Sequence, residues 1–305
     1  MTSNTGATTI ETLSEQAALI APKGRSLWKD AYCRLKKDRL AIICFFIIIF
    51  YALVALLTKI GVFASSWEDA VGPAYQPPSF DSIQLLFGTD IFGRSVFYKV
   101  IHGTRIAMSV GLVSSVISIP IGVLLGSMSG YFGRWVDDIV VWFYTTLSSI
   151  PNIMLLIAIT FVLGKGITSI YIALGATAWV GLARVIRGEF MKHKERDYVV
   201  AAEGIGASNV SRIFKHILPN VSHFIIINLS IQFMAAIKAE VILSFLGLGV
   251  QGQPSWGVMI DDAKLELARG VWWQLAGATV AMFFVVLAFN ILGDSLRDAL
   301  DPKIK

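Results

Sequence analysis

Four polar side chains, Asn228, Gln232, Lys238 and Glu240, fall inside one long apolar run between residues 221 and 246. An ionisable group at mid-bilayer costs roughly 2.5–3.5 kcal/mol on insertion scales, so its presence invites a functional reading, with Glu240 at the mouth of a pathway. Lys238 and Glu240 lie only a turn or two from the outer end of the run, where side chains reach water. An interfacial residue or ion-pair partner is therefore the more economical account of Glu240. A second polar stretch, YVVAAEGIGASNVSRIFKHILPN at residues 198–220, carries Glu203, Arg212, Lys215 and His216 between two apolar runs. Bond-making chemistry has no evident home. The sequence lacks G-x-x-x-x-G-K-[ST], H-E-x-x-H, G-x-S-x-G and any Cys/His metal cluster. The histidines, His102, His193, His216 and His223, are scattered over loops and span ends. A passage, a receptor or a scaffold fits these residues better than an intramembrane enzyme.

The elements that position them are set by composition. Of 305 residues, 55% are hydrophobic and 15% charged, against about 25% charged in a soluble domain. Mean hydropathy is +0.67. Several apolar stretches reach the roughly 20 residues that cross a bilayer, and the sequence predicts an all-α polytopic membrane protein. Spans are expected at 40–60, 106–128, 139–163, 167–187, 221–246 and 271–293. Six spans leave both termini on one side, giving a tail at 1–39, an outer segment at 61–105, a five-span core at 106–293 containing a polar loop at 188–220, and a tail at 294–305. With the termini cytoplasmic, inner segments hold eighteen Lys and Arg and outer segments six. The positive-inside rule expects that asymmetry, and it accounts for the basic clusters without nucleic acid. Residues 1–22 are polar and lack the apolar core of a cleavable signal. Cys33 and Cys44, one in a basic stretch and one in the first apolar run, suggest neither a bridge nor a metal site.

Within the spans, the first has no polar residue in its first half and is expected to face lipid. In the second, Gly122, Gly126 and Gly130 recur every four residues, a spacing that lets helix backbones approach closely. Pro120 and Pro151 interrupt the second and third spans, each removing a helical hydrogen bond; hinges and static kinks are equally consistent with them. Trp272 and Trp273 open the sixth span as interfacial aromatics. The outer segments, 61–105 and 244–264, are rich in glycine and aromatic residues and suggest re-entrant or lid-like structure.

The 198–220 stretch divides into two short helices. Asp197 is placed to cap the first and Ser208 the second. Gly204 and Gly206 permit a bend between them. In the second helix Val210, Ile213, Phe214, Ile217 and Leu218 form one apolar stripe, and Pro219 is expected to discourage smooth continuation into the next span. A stiff helix–bend–helix with a small alanine-lined surface suits a partner's cleft. An amphipathic linker on the bilayer surface would satisfy the same pattern.

This stretch resembles the EAA loop of permease subunits of ATP-binding-cassette importers, matching at Ala201, Ala202, Gly206, Leu218 and Pro219. Val200 stands where the signature has Glu, and His216 where it has an apolar residue; both departures are familiar in the peptide-importing branch. GTDIFGR and HGTRIAMSVG resemble that branch's outer segment, and GYFGRWVDD its first inner loop. LSFLGLG with PSWG, and GDSLRDALDP, resemble its C-terminal third, while GRSLWKDAYCRLKKDRLA resembles the N-terminal region of oligopeptide-permease C-type subunits.

The resemblance implies a six-span type I importer permease in a bacterial cytoplasmic membrane, forming half of a pathway for peptides. A homologous B-type permease would supply the other half. Two cytoplasmic ATPases would hold the ATP, and an extracytoplasmic binding protein would deliver solute. The chain itself would bind no cofactor or metal and catalyse no bond change. The coupling loop would use Ala201, Ala202, Glu203, Gly206, Leu218 and Pro219. Relatives of the same architecture carry dipeptides, nickel or other small solutes. An independent secondary transporter would be favoured by inverted repeats or several buried carboxylates, and the sequence shows neither.

Overall fold

The computed structural model describes residues 27–300, and secondary structure among them is helical apart from isolated bridges at Ala70–Arg94 and Thr89–Ser95. A short helix α1 (Leu27–Leu35) precedes α2 (Arg39–Lys59). Then come α3 (Val96–Phe132), α4 (Arg134–Ser148), α5 (Asn152–Leu163), α6 (Ile167–Thr177) and α7 (Trp179–His193). After α8 (Asp197–Gly204), a single helical run α9 spans Asn209–Phe245, followed by α10 (Trp256–Leu267) and α11 (Trp273–Leu300). Five runs are long and apolar enough to cross a membrane: α2, α3, α6 with α7, α9 and α11. The pair α4 and α5 makes a sixth span if counted as one, but it bends by 88°.

Helix ends follow local chemistry. The Asp38 carboxylate caps α2, accepting from the Leu40 and Ala41 amides at 3.0 and 3.2 Å, and also accepts from the Ser295 hydroxyl at 2.7 Å. That hydroxyl, with the helix amides, holds the Asp38 carboxyl below its usual range. The bond ties the base of α2 to α11, and Tyr51 Oη donating to the Ala281 carbonyl at 2.8 Å ties them again higher up. The outer face of α2 carries exposed Phe45, Phe46, Phe50 and Leu53, as a lipid-facing helix should.

The core is organised around α3, which begins at Val96, ten residues before the apolar stretch read from the sequence. Its glycines face α7. A Cβ on Gly122 would lie 2.9 Å from the Trp179 carbonyl oxygen, one on Gly126 2.6 Å from that of Ala183, and one on Gly130 2.5 Å from that of Arg187. Nothing larger than hydrogen fits between these backbones. Farther out, Gly111 receives the Phe233 ring of α9, and Gly103 the Trp256 indole of α10. Pro120 sits inside α3 without ending it. Pro151 lies at the 88° break.

The outer segment is locked down. Lys99 Nζ lies 3.1 Å from Asp90 Oδ2, donates to Gln274 Oε1 at 2.8 Å, and has Asp262 Oδ2 at 3.8 Å. Asp90 uses its other oxygen to accept from the Phe92 and Arg94 amides, closing the turn before α3. Trp256 Nε1 donates to the Val100 carbonyl at 3.0 Å. Trp272 is exposed, as an interfacial aromatic should be, but Trp273 is buried and donates to the Thr89 carbonyl at 2.9 Å. Satisfying an indole N–H inside the protein makes Trp273 a structural tie.

The glycine seam gives a direct expectation. Gly126→Leu should destabilise the protein by about 1–3 kcal/mol, the usual range for overpacking a tight contact. Gly188→Ala on the same pair of helices should not destabilise, because nothing lies within 4 Å of its added methyl. Thermal unfolding in detergent followed by tryptophan fluorescence compares them. Equal midpoints for the two variants would contradict the close-approach account.

Candidate functional site

The segment after α7 is built as a stiff base with an exposed tip. Val199 of α8 and Ile213, Ile217 and Val221 of α9 pack with Leu182, Ile186 and Phe190 of α7 and Val123 of α3. Ala202 is buried, so its small side chain serves close packing within the chain. Helix α8 ends in a Schellman turn: the Ala207 amide donates to the Ala202 carbonyl at 2.9 Å, and the Gly206 amide to that of Glu203 at 2.8 Å. Gly206 has φ of +84° there, which glycine adopts without a Cβ penalty. Ser208 caps the next helix as expected, accepting from the Ser211 amide. The Glu203 carboxylate pairs with Arg212 at 2.7 Å, and the Arg212 guanidinium lies over the Tyr131 ring, bracing the bend from both sides.

Three details depart from the sequence reading. Asp197 is the first residue of α8 and makes no cap; Arg196 holds the capping position without a side-chain bond. The second helix does not stop at Pro219 but runs unbroken to Phe245. Residues Arg212–Ile217 take a π-helical turn just before the proline, and Pro219 then falls in the first turn of regular helix, where its missing N–H leaves no gap. The same wider turn splits the expected stripe. Ile213 and Ile217 are buried and Leu218 is partly buried, whereas Val210 and Phe214 are exposed.

The tip therefore presents Val200, Ile205, Val210 and Phe214 to solvent, with Ile205 86% exposed. Ala201, Glu203, Gly206 and Pro219 are exposed beside them. Ile205 lies between the two glycines, in a stretch whose pattern signals only the bend. Its exposure was signalled by an apolar residue at a turn that has no core beneath it.

Glu240 lies apart from this region, completely buried on α9. Its Oε1 accepts from the Ser244 hydroxyl at 2.6 Å, Oε2 has no hydrogen-bond partner, and no cation lies within ion-pair distance among the described residues. Near the outer cluster, Glu266 of α10 is also buried with an unpartnered oxygen. Burial pushes its carboxyl above the ordinary range, against the downward pull of Lys99. Around Trp67, Arg94, Lys99, Gln251, Gln253 and Asp262 an open outer cavity of about 580 Å³ remains.

With this geometry in view, comparison with known proteins places the chain. Residues 122–305 match the family of binding-protein-dependent transport system inner membrane components, and the chain belongs to that family. Residues 26–78 match the N-terminal transmembrane domain of oligopeptide transport permease C. The dipeptide transport system permease protein DppC of Bacillus subtilis is 38% identical, over 92% of this chain and 87% of its own. The oligopeptide transport system permease protein OppC of the same species is 35% identical over 95% and 94%. The glutathione transport system permease protein GsiD of Pectobacterium atrosepticum is 36% identical over 72% of each. An inward-facing MetNI methionine ABC transporter chain superposes with a TM-score of 0.51 at 18% identity, covering 66% of this chain and 94% of that one. The fold is that of an ABC importer permease.

Two carboxylates give contrasting expectations. A folded-state pKa raised above the unfolded value means the native state holds its proton more tightly, so stability falls as pH rises from the unfolded pKa through the folded one. Glu266→Gln should therefore raise the unfolding midpoint at pH 7–8, with the gain shrinking as pH falls toward the ordinary carboxylate range near 4.5. A midpoint difference that does not vary with pH would contradict this. Glu240→Gln keeps the Ser244 acceptor and removes the ionisable group. It should accumulate normally and leave solute selectivity unchanged in uptake assays, whereas altered selectivity at normal protein levels would put Glu240 in the pathway.

Proposed function

We propose that this chain is one of two membrane permease subunits of an ATP-binding-cassette importer of peptides. In this reading residues 197–217 are the lever gripped by a cytoplasmic ATPase. The observation that carries it is the exposed apolar tip at Val200, Ile205, Val210 and Phe214, mounted on a base packed into α7 and α3. Exposed apolar residues on a rigid mount at the end of the spanning runs mark a protein contact, and a stiff mount transmits rigid-body motion. A lipid-surface helix would need no such brace. The named relatives handle dipeptides, oligopeptides and glutathione, whose shared chemistry is an amide-linked chain with free carboxylate. A homologous B-type permease would complete the pathway, two ATPases would hydrolyse ATP, and an extracytoplasmic binding protein would deliver the peptide. The eighteen-to-six split of basic residues supports cytoplasmic termini in a bacterial inner membrane.

Substitution at the turn tests the lever. Asn and Asp tolerate positive φ better than other side chains and share a shape, so they separate charge from backbone strain. Gly206→Asn should keep most transport in proteoliposomes reconstituted with both permeases, the ATPases and binding protein. Gly206→Asp should insert and retain its B-type partner, yet lose uptake and the stimulation of ATP hydrolysis by loaded binding protein. Wild-type uptake and stimulation in the Asp variant would eliminate the lever.

A further inference from the structure

The break between α4 and α5 leaves polar groups at a depth where a membrane helix normally hides them. Ser149 donates to the Thr145 and Thr146 carbonyls, Ile150 reaches the Leu147 carbonyl at 3.4 Å, and regular bonding resumes with Leu155 donating to Pro151. Between these points the helical ladder lapses. Thr145, Thr146, Ser148, Ser149 and Asn152 are all exposed there. The break does not lie at a membrane surface. A cavity of about 300 Å³ at the break is lined by Ser148, Pro151 and Asn152 together with Thr177 and Val180, residues well inside the spanning run Ile167–His193. Non-helical backbone at that depth persists only where protein covers it or where it lines a water-filled cavity. Discontinuous helices are recurrent features of transport sites.

One cation faces this break. Arg184 of α7 is exposed, donates to Ser148 Oγ at 2.7 Å, and lies with its guanidinium 4.8 Å from the Tyr144 ring centroid. No carboxylate lies within ion-pair distance of it among the described residues, although three residues farther along the same helix Arg187 is gripped by Asp137 through two bonds of 2.6 Å. The Arg187 pair is structural. Arg184 has the same chemistry, one turn deeper, with its fork held by a hydroxyl and an aromatic face and its charge uncompensated. A guanidinium's planar fork matches a carboxylate bidentately, and this one is exposed and open to such a partner.

We infer that the broken α4–α5 span and Arg184 line the translocation pathway, and that Arg184 receives the carboxylate of a passing peptide. The inference rests on the import reading above. Ser148 and Asn152 line the cavity at the break, and their side-chain oxygens, with the freed carbonyls of the break, accept the peptide's N–H groups. A row of weak acceptors beside one cation suits a site that must bind and release, since no single contact is strong enough to trap the chain.

The test reads local charge and access without requiring transport. In the assembled transporter, with Cys33 and Cys44 replaced by Ser, Asn152→Cys should react with membrane-impermeant thiol reagents, an anionic methanethiosulfonate faster than a cationic one. Adding Arg184→Gln should lower the anionic-to-cationic rate ratio by about tenfold, the effect of one nearby charge in a water-like medium; Arg184→Lys should preserve it. An unreactive Asn152→Cys in the intact assembly would mean that the face is sealed against the partner permease, and would overturn the inference even if the Arg184 variants fail to assemble. An unchanged ratio in Arg184→Gln would overturn it as well. Uptake then separates the two readings. If the wild-type assembly imports no peptide while the reagent pattern holds, the import reading fails and the anion-attracting aqueous face remains. If peptide is imported, Arg184→Gln should slow uptake of a free-acid peptide several-fold more than uptake of its C-terminal amide, and equal slowing would count against carboxylate recognition.

Discussion

The placement of the whole α8 segment depends on how closely α3 and α7 approach. Lipid tails are as apolar as leucine, so no hydrophobic drive holds two membrane helices together; packing at short range must do it. Gly122, Gly126 and Gly130 remove the side chains that would keep the backbones apart. The gain is positional as much as energetic. Fixing α7 fixes Ile186 and Phe190, and these are the surface on which Val199, Ile213 and Ile217 rest. A looser seam would leave the α8 turn hanging from a helix free to slide, and movement of the tip would be absorbed before reaching the spans.

The outer half is held by different physics. There Lys99, buried, gathers Asp90 from the outer segment, Asp262 from α10 and Gln274 from α11. Breaking such a cluster by removing one member leaves charge stranded in a low-dielectric site, which costs far more than the cluster's net contribution to stability. The glycine seam tolerates no added atoms, and the Lys99 cluster tolerates no missing ones. Between the two lies the Ser118–Gln232–Ala178 bridge, where Gln232 accepts from Ser118 and donates to the Ala178 carbonyl, pinning α3, α9 and the α6–α7 junction at mid-depth.

Much of this was legible in the sequence, for identifiable reasons. The glycine seam and the bend at Gly206 are encoded by spacing and by residues with unique backbone freedom, both local properties; of the six expected spans five stand as single runs, and the third is broken by 88° between α4 and α5. Glu240 was visible as a polar group in an apolar run, but the interfacial or ion-paired place expected for it is not what the structure shows: it is completely buried beside Ser244, with no cation within ion-pair distance among the described residues. The continuation of α9 through Pro219 was not legible, because the cost of a proline depends on the winding of the preceding turn, and the π-turn that absorbs it leaves no periodic trace. Trp273 read as interfacial because its partner, the Thr89 carbonyl, is 184 residues away. Arg184 and Arg187 were equivalent in the sequence, two members of a basic cluster that set topology. Only the placement of Asp137 on α4 separates Arg187, paired with a carboxylate, from Arg184, held by a hydroxyl and a ring.

That separation also orders the mechanical picture. Helix α7 carries the base of the α8 segment at one end through Phe190, the Arg187–Asp137 pair next along it, and Arg184 with Ser148 one turn deeper. Trp179, stacked on Phe143 with ring centroids 5.6 Å apart, completes its hold on α4. Rotation of α7 by a partner gripping the α8 tip would therefore move α4 with it, because the charged pair and the ring stack resist slip. Helix α5 need not follow, since the ladder between Ser149 and Asn152 carries almost no bonds to transmit bending. The 88° break is then where motion imposed through the α8 segment would be taken up, and it coincides with a stretch of span that exposes acceptors and an uncompensated cation. An importer that opens to one side at a time needs its pliant point and its solute contacts in the same place, so that closing the passage and releasing the solute are one movement.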